Sequence, residues 1–288
     1  MSATEVPTDN GREIPGIAEF ARTATRLHPR SGAPTARDSH IGGPLWWPAD
    51  EPWPHCDGRL PTSTGKPQEN WTAEHEVDGP IALVGAAQLF RRDFPALPFP
   101  EGTDVLQVLL CPNEHQLDSS GADYYYGPAA HLVWRASAEV TEVAGRPPQP
   151  AGVGGEFVPR PCVLNPCQVV EYPALSELPD EIKLPLSFVD TAGFVHDDYD
   201  RWPKVSQCSK VGGWAFWWQS SPGKLDCQDC GAGLRLLLSL HTYEHRDELC
   251  SCEQDELQPA GWEFGRQGAL NIFTCPEDST HAFRLHID

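Results

Sequence analysis

Apolar residues in this chain come mostly in short aliphatic runs, broken by Gly, Pro and polar clusters every few residues. Such runs predict strands. They fall at residues 81–89, 105–111, 131–143, 157–172, 234–241, 268–275 and 283–287. In the run at 131–143, Leu132, Trp134 and Ala136 share one side. One stretch reads differently. Over residues 14–27, Ile17, Phe20, Ala21, Ala24 and Leu27 fall on one helical face, with Glu19, Arg22 and Arg26 elsewhere. This predicts an N-terminal helix that stops at or before Pro29. A second, shorter helix is predicted around residues 176–182. Residues 31–54 are rich in Gly and Pro and carry Trp46, Trp47 and Trp53, so they are expected to be extended. Residues 58–79 are polar and read as an exposed insertion. The fold class expected is mainly β, led by a helix.

The pattern repeats. Ile41-Gly42-Gly43-Pro44-Leu45-Trp46-Trp47, followed by Cys56, is echoed by Val211-Gly212-Gly213-Trp214-Ala215-Phe216-Trp217-Trp218, followed by Cys227. Further on, Leu106-Gln107-Val108-Leu109-Leu110-Cys111-Pro112 is echoed by Leu270-Asn271-Ile272-Phe273-Thr274-Cys275-Pro276, and His115 and His281 come after these. Landmarks repeated in one order predict a tandem duplication. Its halves would be residues 1–155, which carry the leading helix and the insertion, and residues 156–288. The Pro- and Gly-rich residues 145–155 are the expected linker. Trp46, Trp47, Trp217 and Trp218 recur at matched places, which is what core positions would do.

Composition narrows the function. Among 288 residues, 41 are acidic and 21 basic, a net charge of −20. A phosphate backbone selects a basic face, so nucleic-acid binding is not expected. An acidic surface keeps a protein soluble and attracts basic partners. No apolar run approaches the ~20 residues that span a bilayer, and the first residues lack the pattern of a signal peptide. A cytosolic protein is expected, with its 10 cysteines reduced.

Reduced cysteines can be small buried hydrophobes or metal ligands. Cys227-Gln228-Asp229-Cys230-Gly231 has the spacing of a zinc knuckle: two thiolates can face one ion, and Gly closes the turn. The repeat brings Cys275 and His281 toward it. The expected site is a structural zinc held by Cys227, Cys230, Cys275 and His281. Three alternatives stay open. Cys250 or Cys252 could replace His281, the Cys-x-x-Cys could be a redox pair, or all could be plain buried thiols. The first half keeps Cys56, Cys111 and His115 but lacks a second cysteine beside Cys56, so it has either lost its metal or uses His55; loss is the favoured reading. No nucleophile–base order or pair of carboxylates in a defined frame appears.

Ser39-His40-Ile41-Gly42-Gly43-Pro44, Ala87-Gln88-Leu89, Lys210-Val211-Gly212-Gly213 and Gly268-x-Leu270-x-Ile272-Phe273 resemble the bacterial YwqG-like family of unknown function. The second half is similar to the C-terminal part of the eukaryotic programmed cell death 2 proteins. The resemblance spans roughly residues 30–288. It implies a roll of two related β-rich halves and a role in binding another protein, as a chaperone or immunity-type factor. It offers no catalytic residue. The expected function is a non-enzymatic interaction module for a basic polypeptide. The alternative is a small-ligand binder or enzyme acting in the cleft between the halves.

Overall fold

The computed structural model describes residues 8–9, 12–56, 71–73, 80–117, 125–150, 155–183, 187–189, 195–197, 205–218, 220, 225–253 and 256–288. The predicted insertion therefore lies outside the described residues, except for the strand Trp71–Ala73. So does most of the linker's Gly-rich end.

The fold is mainly β and is built on two large antiparallel sheets. Twelve strands define them: β1 (Arg22–Arg26), β2 (Arg30–Ser31), β3 (His40–Ile41), β4 (Val84–Phe90), β5 (Val105–Leu117), β6 (Tyr125–Arg135), β7 (Cys162–Val163), β8 (Cys167–Glu171), β9 (Lys210–Gly212), β10 (Arg235–His241), β11 (Ala269–Thr274) and β12 (Arg284–Ile287). The first sheet runs β6-β5-β4-β3-β7-β2, and Trp71–Ala73 also pairs with β5. The second runs β8-β1-β9-β10-β11-β12.

Set side by side, the two orders place β6 against β12, β5 against β11, β4 against β10, β3 against β9, β7 against β1 and β2 against β8. One pair is exchanged. β1 precedes the linker yet lies between β8 and β9 in the second sheet. β7 follows the linker yet lies between β2 and β3 in the first. Residues 1–155 and 156–288 are thus interlaced. One apolar cluster spans both sheets, with Ile41, Leu89, Leu106 and Leu110 from the first and Val211, Leu238, Leu240 and Ile272 from the second. It fills the space between them. Central strands with both faces covered are buried along nearly their whole length, as β10 and β11 are.

Each sheet also carries a buried polar row at matched positions. In the first, His40 lies opposite Gln88 and Gln88 opposite Gln107, whose Nε2 donates to Gln88 Oε1 at 3.0 Å. In the second, Lys210 lies opposite Ser239 and Ser239 opposite Asn271, and Ser239 Oγ donates to Asn271 Oδ1 at 2.7 Å.

The Gly-Gly pairs serve close approach. Glu171 is fully buried and accepts from Lys210 Nζ at 2.7 and 2.9 Å, and from the Ser206 and Trp214 backbone N–H groups at 2.9 Å each. A Cβ on Gly213, whose φ is 74°, would stand 2.3 Å from Glu171 Oε2. The repeat unit Lys210-Val211-Gly212-Gly213-Trp214 is therefore a wrapping around one buried carboxylate.

The N-terminal helix is not formed. Gly16 starts a 3₁₀ turn at Ile17–Phe20 with φ 83°, and Ala21 is already extended. Arg22-Thr23-Ala24-Thr25-Arg26 then forms β1. Arg22–Arg26 has no period-2 burial of its own, but its threonines favour a strand once two neighbours offer pairing. The predicted helix at 176–182 is split into a 3₁₀ turn at Leu175–Glu177 and one α turn at Asp180–Lys183, with Pro179 between. Of the four recurring tryptophans, Trp47 is buried and packs on Trp53, and Trp217 stacks on Phe273. Trp218 departs from the core expectation, being 73% exposed.

Candidate metal centre

Cys227 to Cys230 form a tight hairpin turn. Asp226 bridges to Gly233, the Cys227 N–H donates to Ala232 O at 2.7 Å, and the Gly231 N–H donates to Cys227 O at 2.8 Å. Gly231 takes φ 77°, which the closing turn requires. Cys275 follows directly on β11, and His281 sits in the loop before β12. That loop is tied to the knuckle, because the Ala282 N–H donates to Asp229 Oδ2 at 2.9 Å.

The fold brings all four predicted residues together. One donor atom from each of Cys227, Cys230, Cys275 and His281 lies within 4.8 Å of the others. Cys227 Sγ is 3.6 Å from His281 Nδ1, and Cys230 Sγ is 3.5 Å from Cys275 Sγ. A tetrahedral ion with thiolates at ~2.3 Å and imidazole at ~2.0–2.1 Å has S–N edges of about 3.6 Å and S–S edges of about 3.8 Å. The sulfurs are also much too far apart for a disulfide, whose bond is about 2.0 Å. Burial pushes the Cys275 thiol up, but N–H groups of Asp278 and Glu277 and the thiols of Cys230 and Cys227 outweigh it and hold it below its ordinary value. The Ala232 N–H lowers Cys230, yet its contacts with Cys275 and Cys227 carry it up to about 11.

The first half holds the counterpart. Cys56, Cys111 and His115 are buried and within 4.8 Å of one another, with Cys56 Sγ 3.6 Å from His115 Nε2. They match Cys227, Cys275 and His281. His55 is not among them: it is exposed, and its Nδ1 bonds to Trp53 O at 2.8 Å. Among the described residues this cluster is one donor short of a tetrahedral set.

Cys250 and Cys252 do not join the knuckle. They gather instead with His28 and Cys167. Sequence reasoning missed those two partners because nothing in local spacing links them; only the pairing of β1 with β8 brings His28 to Cys167. Several Cys/His clusters in this protein could therefore hold a metal ion.

Comparison with known proteins found neither a family model nor a curated protein that matches the chain. Among the described residues, no helix is long and apolar enough to cross a membrane. A cavity of about 230 Å³, with none of the cluster residues in its lining, is lined by Phe216, Trp218, His241, Tyr243, Arg266 and Asp288 among others, all from the second half.

Proposed function

We propose that this chain is a non-enzymatic interaction module, chaperone-like or immunity-type, that binds a basic polypeptide and is held in shape by a structural zinc ion. Cys227, Cys230, Cys275 and His281 form a Cys₃His set, an ordinary one for structural zinc. All four tetrahedral positions are supplied by protein, which leaves none for a reacting water. No cysteine is joined in a disulfide, as suits a reducing, cytosolic setting.

The observation that carries the binding role is the net charge of −20. Trp218, 73% exposed and stacked near Phe216, supplies an aromatic anchor of the kind that dominates binding energy. This reading also agrees with what a YwqG-like relationship implies.

The test has two arms. Elemental analysis of wild type and Cys230→Ser should find zinc in the first and one equivalent less in the second, with a drop in thermal stability. Fluorescence titration with a Lys/Arg-rich peptide and an Asp/Glu-rich peptide should show binding of the basic one alone. Binding should weaken with salt and in Trp218→Ala. Equal binding of both peptides, or none, would refute the function while leaving the zinc result untouched.

A second reading is favoured by one observation. His241 lines the 230 Å³ cavity, is 7% exposed, and its Nε2 has no hydrogen-bond partner among the described residues. Buried polar atoms are normally satisfied, so a small ligand with an acceptor or donor at that atom would explain it. His241→Phe should then abolish ligand binding and leave peptide binding unchanged.

A further inference from the structure

His28, Cys167, Cys250 and Cys252 come from three distant parts of the chain. His28 follows the exchanged strand β1, Cys167 opens β8, and the other two lie in the charged excursion after β10. Their donor atoms all lie within 4.8 Å of one another. His28 Nε2 is 3.1 Å from Cys167 Sγ and 3.7 Å from Cys250 Sγ. The tetrahedral S–N edge is about 3.6 Å, so one ring nitrogen faces two sulfurs at distances close to the edges of a coordination tetrahedron. The Cys167 thiol in turn contacts those of Cys252 and Cys250.

The surroundings are built for this. Arg26, 2% exposed, donates to Asp247 Oδ1 at 2.7 Å and to His245 O at 3.1 Å, which fixes the start of the excursion. Its guanidinium lies within electrostatic reach of Cys167 and Cys250. Burial and the neighbouring thiols nonetheless push Cys167 and Cys250 up. His28 is held at φ 45°, an uncommon value for a side-chain-bearing residue, and this backbone turn carries its ring to the sulfurs.

We infer that His28, Cys167, Cys250 and Cys252 form a second zinc site, independent of the knuckle, that clips the β1–β8 edge of the second sheet to the excursion after β10. Soft thiolates with one imidazole select zinc over the hard cations. The Cys-x-Cys spacing is shorter than that of common zinc motifs, so the site is visible only in three dimensions. The clip fastens the strand through which the two halves are interlaced, and its role is structural.

The test uses the full chain purified with zinc under reducing conditions. Metal content is measured for wild type, Cys252→Ala, Cys252→His, Cys230→Ser and the Cys230→Ser/Cys252→Ala pair. The expected result is one zinc fewer in Cys252→Ala, one fewer in Cys230→Ser, two fewer in the pair, and restoration in Cys252→His. Wild-type zinc content in Cys252→Ala overturns the proposal, whatever Cys230→Ser does. Alkylation of wild type, mapped by mass spectrometry, covers the case in which variants fail to fold. Cys167, Cys250 and Cys252 should be protected together and become reactive together when a chelator is added. Reaction of any of the three before the chelator, or no change on adding it, also overturns the proposal.

Discussion

Lys210→Met isolates the buried ion pair at the centre of the second Gly-Gly element. Lys210 and Glu171 are both 0% exposed, and the ammonium contacts both carboxylate oxygens. Methionine keeps the stem and removes the charge. Among the described residues Glu171 then retains the Ser206 and Trp214 N–H groups, in a buried site. Breaking one side of a buried pair costs about 3–5 kcal/mol. Removing both charges, in Lys210→Met/Glu171→Leu, frees two backbone N–H groups at about 1–3 kcal/mol each. It leaves no buried charge, so the double variant should lose less than the two single losses added, by roughly 2 kcal/mol or more. The assay is urea unfolding followed by tryptophan fluorescence at fixed zinc and reductant, with slopes compared to confirm one transition. A cost below about 1 kcal/mol for Lys210→Met, or simple additivity, would refute the idea that the Gly-Gly element exists to wrap this carboxylate.

Two further perturbations address the first sheet. Burial holds His40 down to about 4, despite Nε2 donating to Pro44 O. The unfolded residue takes up its proton near ~6.5, so the unfolded chain binds more protons between those values. Stability should fall as pH drops from about 6.5 to 4, by roughly 3 kcal/mol from this residue. His40→Gln should flatten that part of the profile relative to wild type; parallel profiles would show that His40 is not responsible. Gly42→Ala puts a Cβ 2.5 Å from Arg160 O at φ 65°, whereas Gly102→Ala has φ 79° and open space. Both carry about 1–2 kcal/mol of left-handed strain, and thermal unfolding should show a larger loss for Gly42→Ala; equal losses would mean the Arg160 backbone yields without cost.

The β class and most central strands were legible because their apolar runs are continuous and bounded by Gly and Pro. The gathering of Cys227, Cys230, Cys275 and His281 was legible because Cys227 and Cys230 are close in sequence and the echo of Cys111 and His115 pointed to Cys275 and His281. The helix at 14–27 was misread because its apolar positions fit the helical period, while the deciding factor, pairing of β1 with β8 and β9, lies far along the chain. Trp218 was misread for a related reason. Its neighbour Trp217 fills the site against Phe273, and the chain has turned outward one residue later. The cluster at His28 depends wholly on sheet register, so no local pattern could reveal it.

The exchanged strand has a consequence for how the protein is made. β1 pairs through Arg26 with Cys167 and Lys210. On a ribosome adding ~5–20 residues per second, those partners appear on the order of ten seconds after β1 itself. Until then β1 has no sheet, and the first sheet presents the unpaired edge of β3 where β7 will go, an invitation to aggregation. The first sheet waits for Cys162–Val163 and the second for Arg284–Ile287, so each closes only long after its earliest strand has been made. The closing contacts span long loops, so folding should be slow and late, a single commitment by the whole chain.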